Sequence, residues 1–260
     1  MAYTLSLLKN NYQQLFDSCR IKEALYPGVD ACINKMFAAR ARYDTVSTTT
    51  NIPWYFIGIV HNMECSGSFS CHLHNGDPLT ARTVQVPKGL PKKGTPPFTW
   101  EESAEDSLRY KALDKWTDWS TPGMLYQLER YNGFGYRSKQ INTPYLWSGS
   151  NQYTKGKYTA DGTFSFDAVS KQIGAAVLLR RLSEKGFMNG QETDLVSQVK
   201  KVGLSVKHDP ANYSAAAEQL QALLNRLGFH LREDGHAGDM TSDAYKKLTG
   251  NYLTGDKRLV

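Results

Sequence analysis

The sequence predicts a mainly α-helical protein with a minor β component, a larger N-terminal domain followed by a small helical module. Three observations carry this. Apolar residues recur at three- and four-residue spacing over much of the chain. One stretch, residues 68–99, interrupts that pattern with Gly76, Pro78, Pro87, Gly89, Pro91, Gly94, Pro96 and Pro97. After a more polar stretch at 187–210, a helical pattern restarts at residue 211.

The elements follow in order. Leu8, Tyr12, Leu15 and Cys19, then Ile33, Met36 and Phe37, mark two helices between Leu5 and Arg42, with Tyr26-Pro27-Gly28 as the expected break. Ser47 to Asn51 supplies polar cap candidates, and Pro53 suits the first turn of a helix through IPWYFIGIVHNMECSG that stops at Gly67. Thr83-Val84-Gln85-Val86 is the one strand-like run in the loop-rich stretch, which reads as loops and a small hairpin. Thr99 caps a helix opening at Trp100-Glu101-Glu102 and running through Leu113. Further helices are expected at 122–131 and 166–185, the latter ended by Gly186. Residues 132–162, rich in Gly, Asn, Ser and Tyr, read as irregular surface. Lys207-His208-Asp209-Pro210 reads as a hinge.

The composition is 40% hydrophobic, 12% aromatic and 22% charged over 260 residues, which excludes a disordered chain. No stretch approaches the roughly 18–20 apolar residues of a membrane span, so no membrane partner is expected. The net charge of +6 favours polyanions in general. Basic residues are scattered, however, with small clusters at Lys92-Lys93, Arg180-Arg181 and Lys200-Lys201, and no zinc-finger, basic-zipper or RNP pattern appears. Nucleic acid is therefore not the expected partner. The start, MAYTLSLLKNNYQQLF, lacks the basic head and apolar run of an export signal, so release by another route, or a leader already removed, is expected. Cys19, Cys32, Cys65 and Cys71 are expected as buried free thiols, with two disulfides as the alternative.

Glu64 is the leading candidate for chemistry. It ends an apolar helix, after Ile57, Ile59, Val60 and Met63, where desolvation disfavours the ionised carboxyl and suits it to hold a proton as a general acid. A helix C-terminus is a poor place for a merely solvated carboxylate. Asp77 follows thirteen positions on, in His74-Asn75-Gly76-Asp77-Pro78, a turn-forming string. A second carboxylate facing the first could deprotonate a water, as in glycosidases that invert with carboxyls roughly 6.5–9.5 Å apart. Cys65, Cys71, His72, His74 and Asp77 crowd the same stretch and offer metal ligands, though without a recognised metalloenzyme spacing.

A helix ending in Glu, an Asp thirteen positions on, and then Arg82-Thr83-Val84-Gln85 together resemble the goose-type lysozymes and the soluble lytic transglycosylases, where a Gly-Leu-Met-Gln strand borders the cleft. Tyr131-Asn132-Gly133 is similar to that family's Tyr-Asn-Ala-Gly motif. The resemblance covers residues 50–185. It departs at Cys65, where the family has Ser, at Pro87, where goose-type enzymes carry a second Asp, and in the loop from Lys88 to Pro97. It implies a lysozyme-like α+β catalytic domain over 1–186, with 1–45 as a helical extension. Glu64 would be the acid and Asp77 the water-activating base, with Gln85, Tyr131 and Asn132 holding the sugar. Separately, Tyr145, Trp147 and Tyr153 lie in the polar segment after the Tyr-Asn-Gly string and are expected to be exposed in the cleft, Tyr153 as a substrate-binding aromatic.

Residues 219–245, QLQALLNRLGFHLREDGHAGDMTSDAY, place Leu220, Leu223, Leu224 and Leu227 on one stripe ended by Gly228. Asp234-Gly235 forms a tight turn, Gly238 another, and Thr241 caps a second helix carrying Ala244 and Leu248. This resembles the three-helix peptidoglycan-binding domain, departing from it at Leu248-Thr249, and implies such a module at 211–260 behind a linker at 187–210. Together the two resemblances imply a peptidoglycan hydrolase (a muramidase), without cofactor or metal, acting as a monomer on the bacterial cell wall, in the manner of a phage endolysin or a wall-remodelling enzyme. The alternatives are anhydro-forming cleavage, a zinc amidase or peptidase, and a wall-binding or nucleic-acid-binding protein without activity.

Overall fold

The computed structural model of the chain describes residues 3–160, 162–187 and 191–259. It forms two compact units, Met1–Arg181 and Leu182–Val260. Eleven α-helices and one two-stranded sheet are found among the described residues, a mainly helical architecture with a small β component.

The first unit opens with α1 (Leu5–Asp17), α2 (Tyr26–Ala38) and α3 (Arg40–Thr50). The expected break at Tyr26-Pro27-Gly28 lies instead inside the first turn of α2, where proline loses no hydrogen bond. The chain bends earlier, where Ile21 bridges Ser150 and the Arg20 N–H donates to Asn151 Oδ1 at 2.8 Å. Ser47 to Thr50 do not cap α4; they are the last turn of α3. Thr48 and Thr50 donate their hydroxyls back to the carbonyls of Asp44 and Val46, and Asn51 closes the helix in the left-handed region, at φ 58°.

α4 (Trp54–Cys65) is buried nearly all round, which makes it the central helix of the unit. Gly58 permits this packing: a Cβ there would lie 2.9 Å from Met36 of α2. α3 packs on α4 and on α5 (Trp100–Tyr110), and α1 packs on α6 (Thr121–Asn132). α5 begins with the expected Thr99 cap, completed by a reciprocal Glu102 bond, and it ends at Tyr110, three residues short of the expected end. A buried cluster ties α1 to α6, with Tyr12 and Arg137 both donating to Glu129 Oε2 at 2.6 Å.

Residues 83–86 form no strand. Val84 and Val86 are 66% and 90% exposed, and the backbone N–H groups of Val84 and Gln85 turn inward to a side chain rather than to a partner strand. The hairpin lies elsewhere, with its first strand at the end of the 132–162 stretch expected to be irregular and its second just after it. α7 (Pro144–Trp147) is followed by antiparallel β1 (Lys157–Ala160) and β2 (Thr163–Ser165), with Tyr158 opposite Phe164. Both rings meet Tyr136 edge-on. α8 (Ala175–Glu184) is shorter than the expected 166–185; just before it the Gly174 N–H donates to Ser148 O at 2.8 Å, and the chain there runs so close to α7 that a Cβ would lie 2.3 Å from the Leu146 carbonyl oxygen.

The second unit contains α9 (Gln191–Gly203), α10 (Ala215–Arg226) and α11 (Asp239–Thr249), which pack on one another. The stretch 187–210 is thus not a bare linker: α9 occupies most of it and buries Leu195 and Val199, while residues 188–190 lie outside the described residues. The expected hinge is pinned, with the His208 N–H donating to Thr254 O and that of Asp209 to Ala237 O, both at 2.9 Å. Leu220, Leu223, Leu224 and Leu227 are buried as one stripe, and Gly228 follows the end of α10. Thr241 does not cap α11. Gly238 holds the cap position, and Thr241 is buried inside the helix, accepting a bond from Gln221.

Candidate active site

Glu64 stands in the last turn of α4. Ser66, in the left-handed region at φ 51°, turns the chain away immediately after it. The following loop returns to the helix end, where Gly76 lies against the Glu64 carbonyl. Gln172 binds another terminal carbonyl of α4, that of Met63, at 3.0 Å.

The Glu64 side chain is half-buried. Burial pushes its carboxyl above the usual range, against the opposing pull of the Tyr145 hydroxyl and the Lys111 ammonium. Tyr145, on α7, donates to Glu64 Oε1 at 2.7 Å. Tyr131, on α6, is close enough for the Glu64 charge to help burial raise its phenol. The Tyr131 hydroxyl donates to Leu73 O at 2.9 Å and meets Ser107 Oγ at 3.2 Å, fixing the ring between α5 and the loop. The Lys111 ammonium lies 4.6 Å from the centroid of that ring. Four elements thus bring Glu64, Tyr131, Tyr145 and Lys111 together.

The other residues singled out in the sequence are placed differently. Asp77 Oδ2 accepts from the backbone N–H of Val84 at 2.8 Å and of Gln85 at 3.0 Å, and from Asn75 Nδ2 at 3.0 Å. These bonds hold its pKa below the usual carboxylate range. Asp77 is therefore the knot of the 75–85 loop, and all three bonds fall on one of its two oxygens. Gln85 takes part through its backbone, and its side chain is exposed. Asn132 is exposed at the end of α6. Tyr153 is buried, its hydroxyl donating to Gly156 O at 3.2 Å and accepting from the Ser170 N–H at 3.1 Å, and Trp147 is buried in the core. Of the three aromatics expected in the cleft, Tyr145 is the one bonded to Glu64.

No protein family, curated protein or solved structure matches this chain.

The Cys and His residues near Glu64 are engaged in holding the loop. His72 Nε2 faces the Ala81 carbonyl at 2.7 Å and must donate to it, while Nδ1 meets Ser103 Oγ at 2.7 Å. His74 Nε2 meets Asp106 Oδ2 at 3.0 Å, and its buried Nδ1 has no partner. Cys65 donates to His72 O and Cys71 to Ser68 O, both at 3.5 Å, and all four cysteines are free thiols. With the His72 nitrogens turned to the Ala81 carbonyl and to Ser103 of α5, and the thiols turned to loop carbonyls, these residues do not converge on one ion. Among the described residues only His208, Asp239 and Asp256 do so, in the second unit. There the Arg258 guanidinium binds Asp256 at 2.8 Å and Asp239 at 3.4 Å, so an internal cation already answers those carboxylates.

Nothing in the sequence pointed to Lys111 or Ser107, which no motif marks.

Proposed function

We propose that the chain is a glycosidase of the bacterial cell wall, a muramidase that cleaves the β-1,4 bond between N-acetylmuramic acid and N-acetylglucosamine. The observation that carries this is the half-buried Glu64 carboxyl, pushed toward its protonated form by burial and aimed by the Tyr145 hydroxyl. A carboxyl so placed donates its proton to the bridging oxygen as the bond breaks, and the carboxylate left behind is met by a phenol and an ammonium. Tyr131, its hydroxyl fixed between Leu73 O and Ser107 Oγ, is buried nearby. The second unit, with its resemblance to peptidoglycan-binding modules, would keep the catalytic unit on its polymer and raise the effective substrate concentration.

The fate of the oxocarbenium-like centre divides two readings. In hydrolysis a water attacks, and Asp77, ionised and with Oδ1 outside the loop's three bonds, is the base in reach of the sequence argument. The use of its Oδ2 as the knot of the loop favours the second reading, attack by the sugar's own hydroxyl to give a 1,6-anhydro product. Mass spectrometry of the released muropeptides separates them, since the anhydro product is lighter by one water. The reading as a whole is tested by Glu64→Gln: clearing of purified peptidoglycan should fall at least about a hundredfold, and a folded variant that clears it at the original rate excludes this function.

A further inference from the structure

The second unit carries a cleft of its own, about 220 Å³ in volume, with Lys207, Asp209, Asn212, Tyr213, Ser214 and Ala237 in its walls. Drug-sized ligands fill sites of about 300–1,000 Å³, so this cleft takes a smaller group, such as the end of a short peptide. Tyr213 is its fixed wall. The residue is 62% exposed, yet its hydroxyl donates to Glu218 Oε2 at 2.8 Å and its ring packs on Gly235, where a Cβ would come within 2.5 Å of it. An aromatic face set in this way loses little freedom when a ligand covers it.

Lys207 supplies the charge. Its backbone bridges Thr254, and the next N–H, that of His208, donates to Thr254 O at 2.9 Å, so its side chain starts from a fixed point. Among the described residues the Lys207 ammonium enters no ion pair and no hydrogen bond. The Asp209 carboxylate in the same cleft is already answered. Its Oδ1 accepts from the N–H groups of Ala211 and Asn212, both at 3.0 Å, and its Oδ2 from Asn212 Nδ2 at 2.9 Å.

We propose that this cleft binds the carboxylate-bearing peptide stem of the bacterial wall, with a carboxylate on the Lys207 ammonium and the stem's methyl groups against the Tyr213 ring. The inference rests on the reading of the second unit as a wall-attachment module. Charge decides between the two parts of the polymer. The N-acetylated sugars are neutral once the muramic carboxyl is taken up in its amide to the peptide, whereas the stem keeps free carboxylates. An unspent ammonium is complementary to the stem and gains nothing from the glycan. An exposed ion pair is weak alone, so the ring face and the cation act together.

The experiment uses the full chain and three probes: the free stem peptide, which a muramidase cannot cleave, a neutral chitin oligomer, and purified peptidoglycan. In 15N–1H spectra the stem peptide should move the amide signals of Lys207, Asn212, Tyr213 and Ala237, and the chitin oligomer should leave them in place. Lys207→Gln should weaken peptide affinity about two- to fivefold, and Lys207→Arg should restore it. Tyr213→Ala should weaken it about tenfold, and Tyr213→Phe, which keeps the ring, should retain most of it. Co-sedimentation with peptidoglycan should follow the same order. Lys207 is exposed, so its variants test the site even where Tyr213→Ala disturbs the turn. A stem peptide that leaves those signals in place, or binds Lys207→Gln as it binds wild type, overturns the inference, as does a chitin oligomer that moves them instead. If the wild-type chain fails to co-sediment with peptidoglycan, the reading beneath it fails as well.

Discussion

Tyr145 donates its hydroxyl to Glu64 Oε1 at 2.7 Å across 81 positions of sequence. The bond joins α7, a helix of only four residues, to the last turn of the central helix α4. Thr143 caps α7 through the Tyr145 N–H, and α7 is buried throughout, so the phenol is set by packing. A phenol that donates to a carboxylate favours the ionised form, opposing the burial that favours the protonated one.

Tyr145→Phe removes the opposing bond. The pKa of Glu64 then rises further, the protonated acid persists to higher pH, and the alkaline limb of the activity profile moves upward. The maximal rate should fall about tenfold, because the carboxylate formed on proton transfer loses a hydrogen bond of about 1–2 kcal/mol. The pH–rate profile of the variant checks both effects, and an unchanged profile would detach Tyr145 from the chemistry.

Asp77→Ala should loosen the loop and leave the central helix intact. Three donors lose their acceptor together, two of them backbone N–H groups that no neighbouring strand can take over. Limited proteolysis should cut between residues 75 and 90 in this variant and spare the wild type. Asp77→Asn keeps one acceptor oxygen and should be cut at an intermediate rate. Because its loop bonds lower the Asp77 pKa, they are intact above the usual carboxylate range and are lost as pH falls through the lowered value. If Asp77→Asn leaves the muropeptide products unaltered in kind, the residue is a loop knot and not the base.

How much of this could be read from sequence depended on how local the cause was. The helix through Trp54–Cys65, the Thr99 cap and the leucine stripe of α10 are each encoded within a turn or two, and each was legible. Glu64 was legible as a carboxyl after an apolar run. The pairing of Tyr145 with it was not, since nothing local distinguishes Tyr145 from Tyr153, which lies in the same polar segment and is spent on Gly156 and Ser170. Thr83–Val86 has strand-like residues but no partner strand; Asp77 takes the N–H groups that a ladder would have used. The region expected as a linker held a helix because α9 buries Leu195 and Val199 against tertiary neighbours, a gain that periodicity in a polar stretch conceals.

His61 gives the protein an acid-sensitive point within α4. The Tyr43 hydroxyl meets Nδ1 at 2.9 Å and Nε2 faces Ser68 O at 2.8 Å, so the neutral ring is fully satisfied and fully buried. Burial lowers its pKa from 6.5 to about 4. Below pH 6.5 the unfolded chain takes up a proton that the folded one refuses, so this contribution is complete above that pH and is lost as pH falls toward about 4. The loss amounts to about 3 kcal/mol at the acid end. Urea unfolding of wild type and His61→Gln at several pH values isolates it: the variant, less stable at neutral pH, should lose less on acidification. Parallel curves would refute the assignment.

Gln221 ties together three parts of the second unit. It is buried on α10, and Oε1 accepts from the N–H groups of Asp234 at 3.1 Å and Gly235 at 2.8 Å. Its Nε2 reaches Asp234 Oδ1 at 3.2 Å, His236 O at 3.1 Å and Thr241 Oγ1 at 3.2 Å, so one amide joins the turn at 234–236 to both α10 and α11. Gly235 sits at φ 72° beneath the Tyr213 ring, where a Cβ would come within 2.5 Å of it, so the turn has no freedom to find other partners. Gln221→Leu preserves the volume but strands these donors and acceptors in the interior, at a cost of about 2–4 kcal/mol. Gln221→Glu keeps the acceptor and loses the donor, and it sets a charge beside Asp234. Both variants should weaken co-sedimentation of the full chain with purified peptidoglycan while leaving cleavage of soluble muropeptide oligomers unchanged. Loss of cleavage together with binding would mean that the amide supports more than attachment to the wall.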